Sequence, residues 1–196
     1  GSGALNALTT GDRNIGIGYD AGGSINTATN TVVIGAYAGD AITSGIYSVA
    51  MGDYALSACQ TTHGNTAIGR ASLLSATGSY NTAIGMDSGE GNGSGSYNIN
   101  VGANTGDTYP TTGSGNILIG NNSDTAAADS ARTFKVVSYD GSSTTNHIIS
   151  DSSGNMTLAA DLTIGDDFNM TTDSSVINFG ADSDTTLTHT DGTGLT

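Results

Sequence analysis

The residues of this chain that could do chemistry are mostly aspartates in short polar turns. Asp166 adjoins Asp167, and Asp184 follows Asp182 by two residues. Glycoside hydrolysis needs two positioned carboxylates, so these pairs are the candidates for cleaving a surface glycan. Aspartate is also common in turns for structural reasons, and the chain has a single glutamate, Glu90. We therefore expect no catalytic residues and no enzymatic activity.

Histidine, cysteine and metal-binding patterns are equally sparse. His63, His147 and His189 are far apart in the sequence, and Cys59 is the single cysteine. No intrachain disulfide can form, and no zinc site with ordinary Cys/His spacing is possible. The signatures of EF hands and of calcium-binding nonapeptide repeats are absent. We expect no cofactor and no metal; three copies of His189 meeting on a symmetry axis are the alternative.

The charge and composition exclude several classes of partner. The net charge is −14, from 18 acidic and 4 basic residues, and no apolar run reaches membrane-spanning length. We expect neither nucleic acid nor membrane insertion, because an acidic surface repels phosphates and anionic lipid. Leu, Ile, Val and Phe make up less than a fifth of the residues, which by itself would favour disorder.

A regular repeat opposes that interpretation. Glycine recurs in steps of 17, 17, 17, 17, 16, 17 and 18 residues, and most of these glycines end a phrase such as Asn65–Gly69 or Asn81–Gly85. A fixed short period predicts units that fold alike and stack on their neighbours. These period glycines are Gly1, Gly18, Gly35, Gly52, Gly69, Gly85, Gly102 and Gly120.

The period predicts an all-β fold. Residues 1–125 should form a parallel β-solenoid, or β-roll, of eight rungs of about 17 residues, because each rung can pair with the next. The first rung is partial, since Gly1 already stands in its middle, and this phase suggests a piece cut from a longer fibre. The variable polar half of each rung is predicted to form turns.

The three residues before each period glycine should form a strand. The positions one and three before it carry β-branched or apolar residues and lie on one strand face, which we expect to be the core. The opposite face is mostly small and apolar. We expect that second face to meet another chain, because a strand apolar on both sides is normally buried on both. The residues directly before the glycines are Ile17, Ile34, Met51, Ile68, Ile84, Val101 and Ile119.

Asparagine dominates the position four before the period glycine. Stacked asparagines can pass amide hydrogen bonds from rung to rung, so we assign them a structural role; a row of ligands is the alternative. The asparagines are Asn14, Asn65, Asn81, Asn98 and Asn116, with Thr31 and Ser48 in the remaining rungs.

Residues 126–196 do not continue the glycine period and form the second predicted region. Asp140-Gly141 lies between Phe134–Tyr139 and Asn146–Ile149 and predicts a β-hairpin. Further short strands are predicted in a β-rich, prism-like fibrous shaft, at Met156–Ala159, Leu162–Ile164, Phe168–Met170, Val176–Phe179 and Thr185–His189.

The Asn-Thr-Ala-Ile-Gly units resemble two groups of fibrous proteins. One is the tail fibres of bacteriophages, especially marine ones; the other is the β-roll head of trimeric autotransporter adhesins. Residues 153–165 and 176–184 look more like the phage fibres, and a repeat longer than that usual in the adhesins agrees with this. The resemblance implies a parallel homotrimer that is exposed on a virion tail or outside the cell and works in attachment.

Together these expectations describe a structural segment of a trimeric fibre that spaces and supports host attachment. Its partners would be two further copies of itself and neighbouring fibre or tail proteins, with a host surface glycan or protein as a further possibility. One alternative is an adhesion module whose polar loops bind a host glycan or protein. Another is a self-assembling extracellular filament. An ice-binding surface is disfavoured, because the rungs do not keep threonine in register.

Overall fold

A computed structural model describes residues 1–107, 112–125, 127 and 129–158. Its ten strands lie in one sheet in chain order, and the described residues contain no helix. The prediction of an all-β, parallel β-solenoid is therefore confirmed. The strands are β1 (Ile15–Ile17), β2 (Val32–Ile34), β3 (Val49–Met51), β4 (Thr66–Ile68), β5 (Thr82–Ile84), β6 (Ile99–Val101), β7 (Ile117–Ile119), β8 (Phe134–Tyr139), β9 (Thr144–Ser150) and β10 (Met156–Leu158).

Strands β1 to β8 pair in parallel, each with the next, so seven connections wind the chain into a solenoid. The register joins residues one period apart: Ile17 lies beside Ile34, and Ile68 beside Ile84. Neighbouring strands are about 4.8 Å apart. Residues at the same position of successive rungs therefore stand in straight columns.

The period glycines form the tightest of these columns. Gly69 has a φ of +130°, and a Cβ added to it would lie 2.3 Å from the carbonyl oxygen of Gly85 in the next rung. No L side chain fits such a contact, and few adopt that backbone conformation. The glycine is thus required both by the turn that ends each strand and by the stacking of one turn on the next.

The structure reverses the predicted inside and outside of the strands. The small residues two before the period glycine lie inside, with Val33, Ala50, Ala67 and Ala83 all at 0% exposure. The β-branched residues assigned to the core point outward, and Ile17 is 56% exposed. In the rungs of β2 to β5 a large side chain from elsewhere in the rung, such as Ile42 or Leu73, already fills much of the interior, so alanine or valine fits the strand position where isoleucine would overfill it. In β7 the same position holds the buried Leu118.

In four successive rungs, two positions fill the interior together: where one holds a large side chain, the other holds a small one. In two rungs the pair is Gly22 with Ile25 and Gly39 with Ile42, whereas in the next two it is Leu56 with Cys59 and Leu73 with Ala76. All of these side chains except glycine are at most 2% exposed. A Cβ at Gly39 would lie 2.7 Å from Cγ1 of Val33 and 2.8 Å from Cδ1 of Ile42. A large residue at one position thus requires a small one at the other.

The sheet continues beyond residue 125 and then changes direction. β8 still pairs in parallel with β7, through Phe134 beside Ile117, but β8 with β9 and β9 with β10 are antiparallel. The hairpin predicted at Asp140-Gly141 is confirmed. Backbone N–H groups of Ser143 and Ser142 donate to the Asp140 carboxylate, which lowers its pKa and closes the turn. The four strands predicted beyond residue 161 lie outside the described residues.

Because Gly39 and Ile42 share one interior space, mutations at these two positions should have coupled effects on stability. Gly39→Leu should overpack the rung by about 1–3 kcal/mol, and Ile42→Ala should open a cavity costing about 2–4 kcal/mol. The double variant recreates the Leu73/Ala76 pair, whose leucine has a φ of +53° against +56° for Gly39, except that Val33 stands where that rung has Ala67. We expect it to be at least about 1 kcal/mol more stable than additivity allows.

Denaturant unfolding measures this coupling. Gly39→Leu combined with Leu118→Ala, which lies several rungs away, serves as the control and should be additive. Additive free energies for the Gly39/Ile42 pair would show that the two positions do not share one space.

Candidate functional site

The outward side of strands β1 to β7 is the largest candidate surface, and we call it the strand face. It consists of two columns, one and three residues before the period glycines, and none of its members is charged. Seven of them are at least 37% exposed. The members are Ile15, Ile17, Val32, Ile34, Val49, Met51, Thr66, Ile68, Thr82, Ile84, Ile99, Val101, Ile117 and Ile119.

The size and shape of the strand face are unusual for a surface left in water. Its side chains together expose on the order of 800 Å², more than the largest apolar patch of a typical monomer. The columns are straight because the strands pair in register, so the surface is flat and its side chains repeat at every rung. Such a surface suits packing against another regular surface.

Tyrosines line both edges of the strand face. Just after the strands, Tyr19 contacts Tyr37 edge-on, with ring centroids 5.3 Å apart, and Tyr37 stacks on Tyr54 at 5.1 Å. Desolvation and the neighbouring phenols raise the pKa of Tyr37. Just before the strands, Tyr80 stacks on Tyr97 at 5.2 Å. Aromatic residues are enriched at interfaces, so each of these edges is a candidate binding surface of its own beside the strand face.

The column asparagines stand just before β1, β4, β5, β6 and β7, and all are at most 2% exposed except Asn14, which is half-buried. Oδ1 of Asn81 accepts a hydrogen bond from the backbone N–H of Asn98 at 2.9 Å, and its Nδ2 donates to the carbonyl of Gly95 at 2.9 Å. Asn14, Asn65, Asn98 and Asn116 repeat both bonds. The side chains thus bond from rung to rung, mainly to backbone groups, and Asn98 with Asn116 adds the one amide-to-amide contact seen between column asparagines in the described residues.

Two other asparagines lie inside the solenoid without such partners. Asn100 occupies the strand position held by Val33 or Ala67 elsewhere and is 1% exposed, and Asn92 is 2% exposed. Both polar atoms of the Asn100 side chain, and Nδ2 of Asn92, have no hydrogen-bond partner. At these two interior positions the chain has asparagine where earlier rungs have apolar side chains.

The sequence did not reveal a cavity of about 440 Å³ where the solenoid meets the hairpin. Lys135 lines it and donates from Nζ to the carbonyl of Asp124 at 2.9 Å, and burial lowers its pKa. Asn146 also lines it, with a buried Oδ1 that has no hydrogen-bond partner. A cavity formed between distant segments leaves no signal in local sequence.

The remaining residues with possible chemistry are dispersed. Nδ1 of His63 accepts from the backbone N–H of Ile46 at 3.4 Å. Nε2 of His147 lies 2.9 Å from Oγ of Ser138 across β8 and β9, an exposed pair with no carboxylate bonded to the ring among the described residues. The described part of the chain brings no three His, Cys, Asp or Glu residues together as metal ligands. The paired aspartates and His189 lie outside it.

No protein-family model, curated protein or solved structure matches this chain. Among the described residues, no helix has the length and apolar character needed to cross a bilayer. The strand face, with its tyrosine-lined edges, is therefore the strongest structural lead to function.

The buried thiol predicts a pH effect. Desolvation raises the pKa of Cys59 to about 11, whereas an unfolded thiol ionises near pH 8.5. The folded state therefore keeps a proton that the unfolded state releases, so the free energy of unfolding falls as pH rises from about 8.5 to 11, by on the order of 3 kcal/mol.

Cys59→Ala supplies the matched variant, because Ala76 fills the same position in the next rung. The pH dependence of the wild type minus that of Cys59→Ala should show the loss, and a disulfide reagent at pH 8 should modify Cys59 only after unfolding. Rapid modification of the native protein would contradict this environment.

The asparagine column predicts a large stability effect. Asn81→Ala leaves the N–H of Asn98 and the carbonyl of Gly95 buried without their partners, at a cost of about 2–4 kcal/mol. Asn81→Ser should cost less, because Ser48 holds this position in another rung. Thermal or denaturant unfolding measures both.

Asn121→Ala is the control. Asn121 makes a similar bond, from the N–H of Ala103 at 2.9 Å, but in an exposed setting where water can replace it. We expect a loss of at most about 1 kcal/mol there. Equal losses at Asn81 and Asn121 would show that burial of the column has no energetic role.

Proposed function

We propose that this chain is a non-catalytic segment of a trimeric virion or extracellular fibre, of the phage tail-fibre kind. The segment spaces and supports host attachment, and its copies lie parallel and meet through the strand face. The exposed strand face is the observation that carries the proposal.

The area supports association between copies. A stable protein interface takes about 800 Å² from each partner, and the strand face exposes an area of that order. Burying it would stabilise the assembly through the hydrophobic effect. The chain alone leaves Ile15 50% and Ile17 56% exposed, so one copy does not complete its own apolar packing.

The distribution of charge also favours the strand face as the contact between copies. At a net charge of −14, copies of the chain repel one another over most orientations. The strand face has no charged member, so contact there need not press carboxylates together. The favoured contact is therefore specific to one side of the solenoid.

The regular rise of the rungs favours a parallel arrangement along a fibre. Two copies with the same rung spacing keep their columns in step along their whole length. A solenoid with repeated backbone pairing between rungs is also a stiff spacer. The number three and the setting on a virion tail or cell surface rest on the resemblance to tail fibres and adhesin heads, and a face-to-face dimer would bury the same columns.

Molar mass in solution tests the proposal. Light scattering should give three times 19.4 kDa, about 58 kDa. A mass of two chains would overturn the trimer and retain the interface, and a folded monomer would overturn both. Negative-stain images should show rods of a single width.

Charge placed on the strand face should separate the copies. Ile68→Asp with Ile84→Asp puts two carboxylates per chain into the proposed interface, at positions 37% and 41% exposed in the single chain. We expect a monomer, since an unpaired buried charge costs several kcal/mol. Leu8→Asp is the matched control, because Leu8 is 38% exposed but lies in the turn half of a rung. An unchanged mass for the double variant would place the interface elsewhere.

A further inference from the structure

One edge of the strand face carries a single file of exposed tyrosines, which we call the Tyr column. It consists of Tyr47, Tyr80 and Tyr97, each five residues before a period glycine. They are 64%, 51% and 63% exposed. Aromatic rings normally gain stability by burial, and these three gain little of it in the chain.

The backbone conformation at these tyrosines is energetically unfavourable. Their φ angles are +58°, +61° and +61°, in the left-handed region, where a bulky L residue loses roughly 1 kcal/mol. Asn30, Gly64 and Gly115 occupy the same column with residue types that adopt this conformation readily. The fold therefore does not require tyrosine at this corner.

Leucines in the same backbone region show what normally offsets that cost. Leu56 and Leu73 have φ angles of +59° and +53° and are fully buried in the interior. The Tyr column carries similar strain without comparable burial. Arg13 stands at the same corner with a φ of +56° and is also exposed, so the strain belongs to the corner, and it is the row of exposed aromatic rings that points to a role in binding.

The column also has the geometry of a binding platform. Tyr80 and Tyr97 stack with an interplanar angle of 12° and centroids 5.2 Å apart. Gly64 and Gly115 stand on either side of this pair and contribute no side chain. The Tyr80 ring lies over Gly64, since a Cβ there would be 2.7 Å from its Cδ1, so the rings extend along the column across the glycine rung. The phenol groups thus repeat at the rung spacing along the solenoid axis.

We propose that the Tyr column binds an extended neutral glycan lying along the solenoid. Tyrosine offers an apolar ring to the C–H faces of sugars and a hydroxyl to their O–H groups. The three side chains expose on the order of 500 Å² in single file, less than the about 800 Å² per partner of a stable protein interface. A net charge of −14 disfavours anionic polysaccharides. This inference goes beyond the fibre function and does not require a particular number of copies.

Affinity electrophoresis of the full chain in polysaccharide gels tests the inference. The probes are hydroxyethylcellulose, a galactomannan and dextran as neutral polymers, with alginate as the anionic one. At least one neutral polymer should retard the wild type. Tyr80→Asn with Tyr97→Asn should weaken the retardation about tenfold or more, as loss of aromatic anchors does.

Two controls keep the outcome interpretable. Tyr139→Asn removes a tyrosine that is 39% exposed on β8, away from the column, and should leave retardation unchanged. The double variant should unfold at the wild-type temperature or above, because asparagine accepts the left-handed backbone at this corner, as Asn30 does.

Several results would overturn the inference. They are no retardation by any neutral polymer, retardation by alginate alone, and unchanged retardation of the double variant. A changed molar mass of the double variant with unchanged retardation would assign the column to contacts between copies. Because the wild-type mass is measured on the same sample, failure of glycan binding is separable from failure of the proposed trimer.

Discussion

The parallel backbone ladder is the constraint on which the rest of this structure depends. It joins residues one period apart, so every side chain stands on its equivalent in the next rung. A column is stable only if copies of its residue type can stack at the strand spacing of about 4.8 Å. Glycine at the tight turn, asparagine beside the backbone and aligned β-branched residues outside each satisfy that requirement. Position in the period therefore decides residue type more strongly than position in the chain.

The second constraint is the narrow interior of a rung. In most rungs its strand position holds alanine, or valine with glycine nearby, next to one large residue from elsewhere in the rung, and in β7 it holds Leu118. The β-branched residues one and three before the period glycine lie on the other face of the strand and collect on the outside. One face of each strand thus lines the interior of the solenoid, and the other forms an apolar surface. In a fibre of copies, the second face would be buried between chains.

Polar side chains form hydrogen bonds with the backbone groups that the ladder alone would leave unpaired. Each column asparagine accepts from one buried N–H and donates to one buried carbonyl, so its stability effect is local and repeated. Asn100 shows the contrast, since its amide is buried among apolar positions and bonds to nothing. The same residue type is structural in one column and costly in another, because the neighbouring backbone groups differ.

The sequence by itself determined the repeat, the strand positions, the columns and the hairpin at Asp140-Gly141. Period and turn chemistry are local, so they can be read directly. Only the tertiary structure decided which strand face is inside. Alternation of side chains defines two faces but does not rank them, because the choice depends on the volume left by residues elsewhere in the rung, such as Ile42 and Leu73. The exposed left-handed tyrosines and the cavity beside Lys135 were likewise invisible, since backbone angles and contacts between distant segments have no sequence signature of their own.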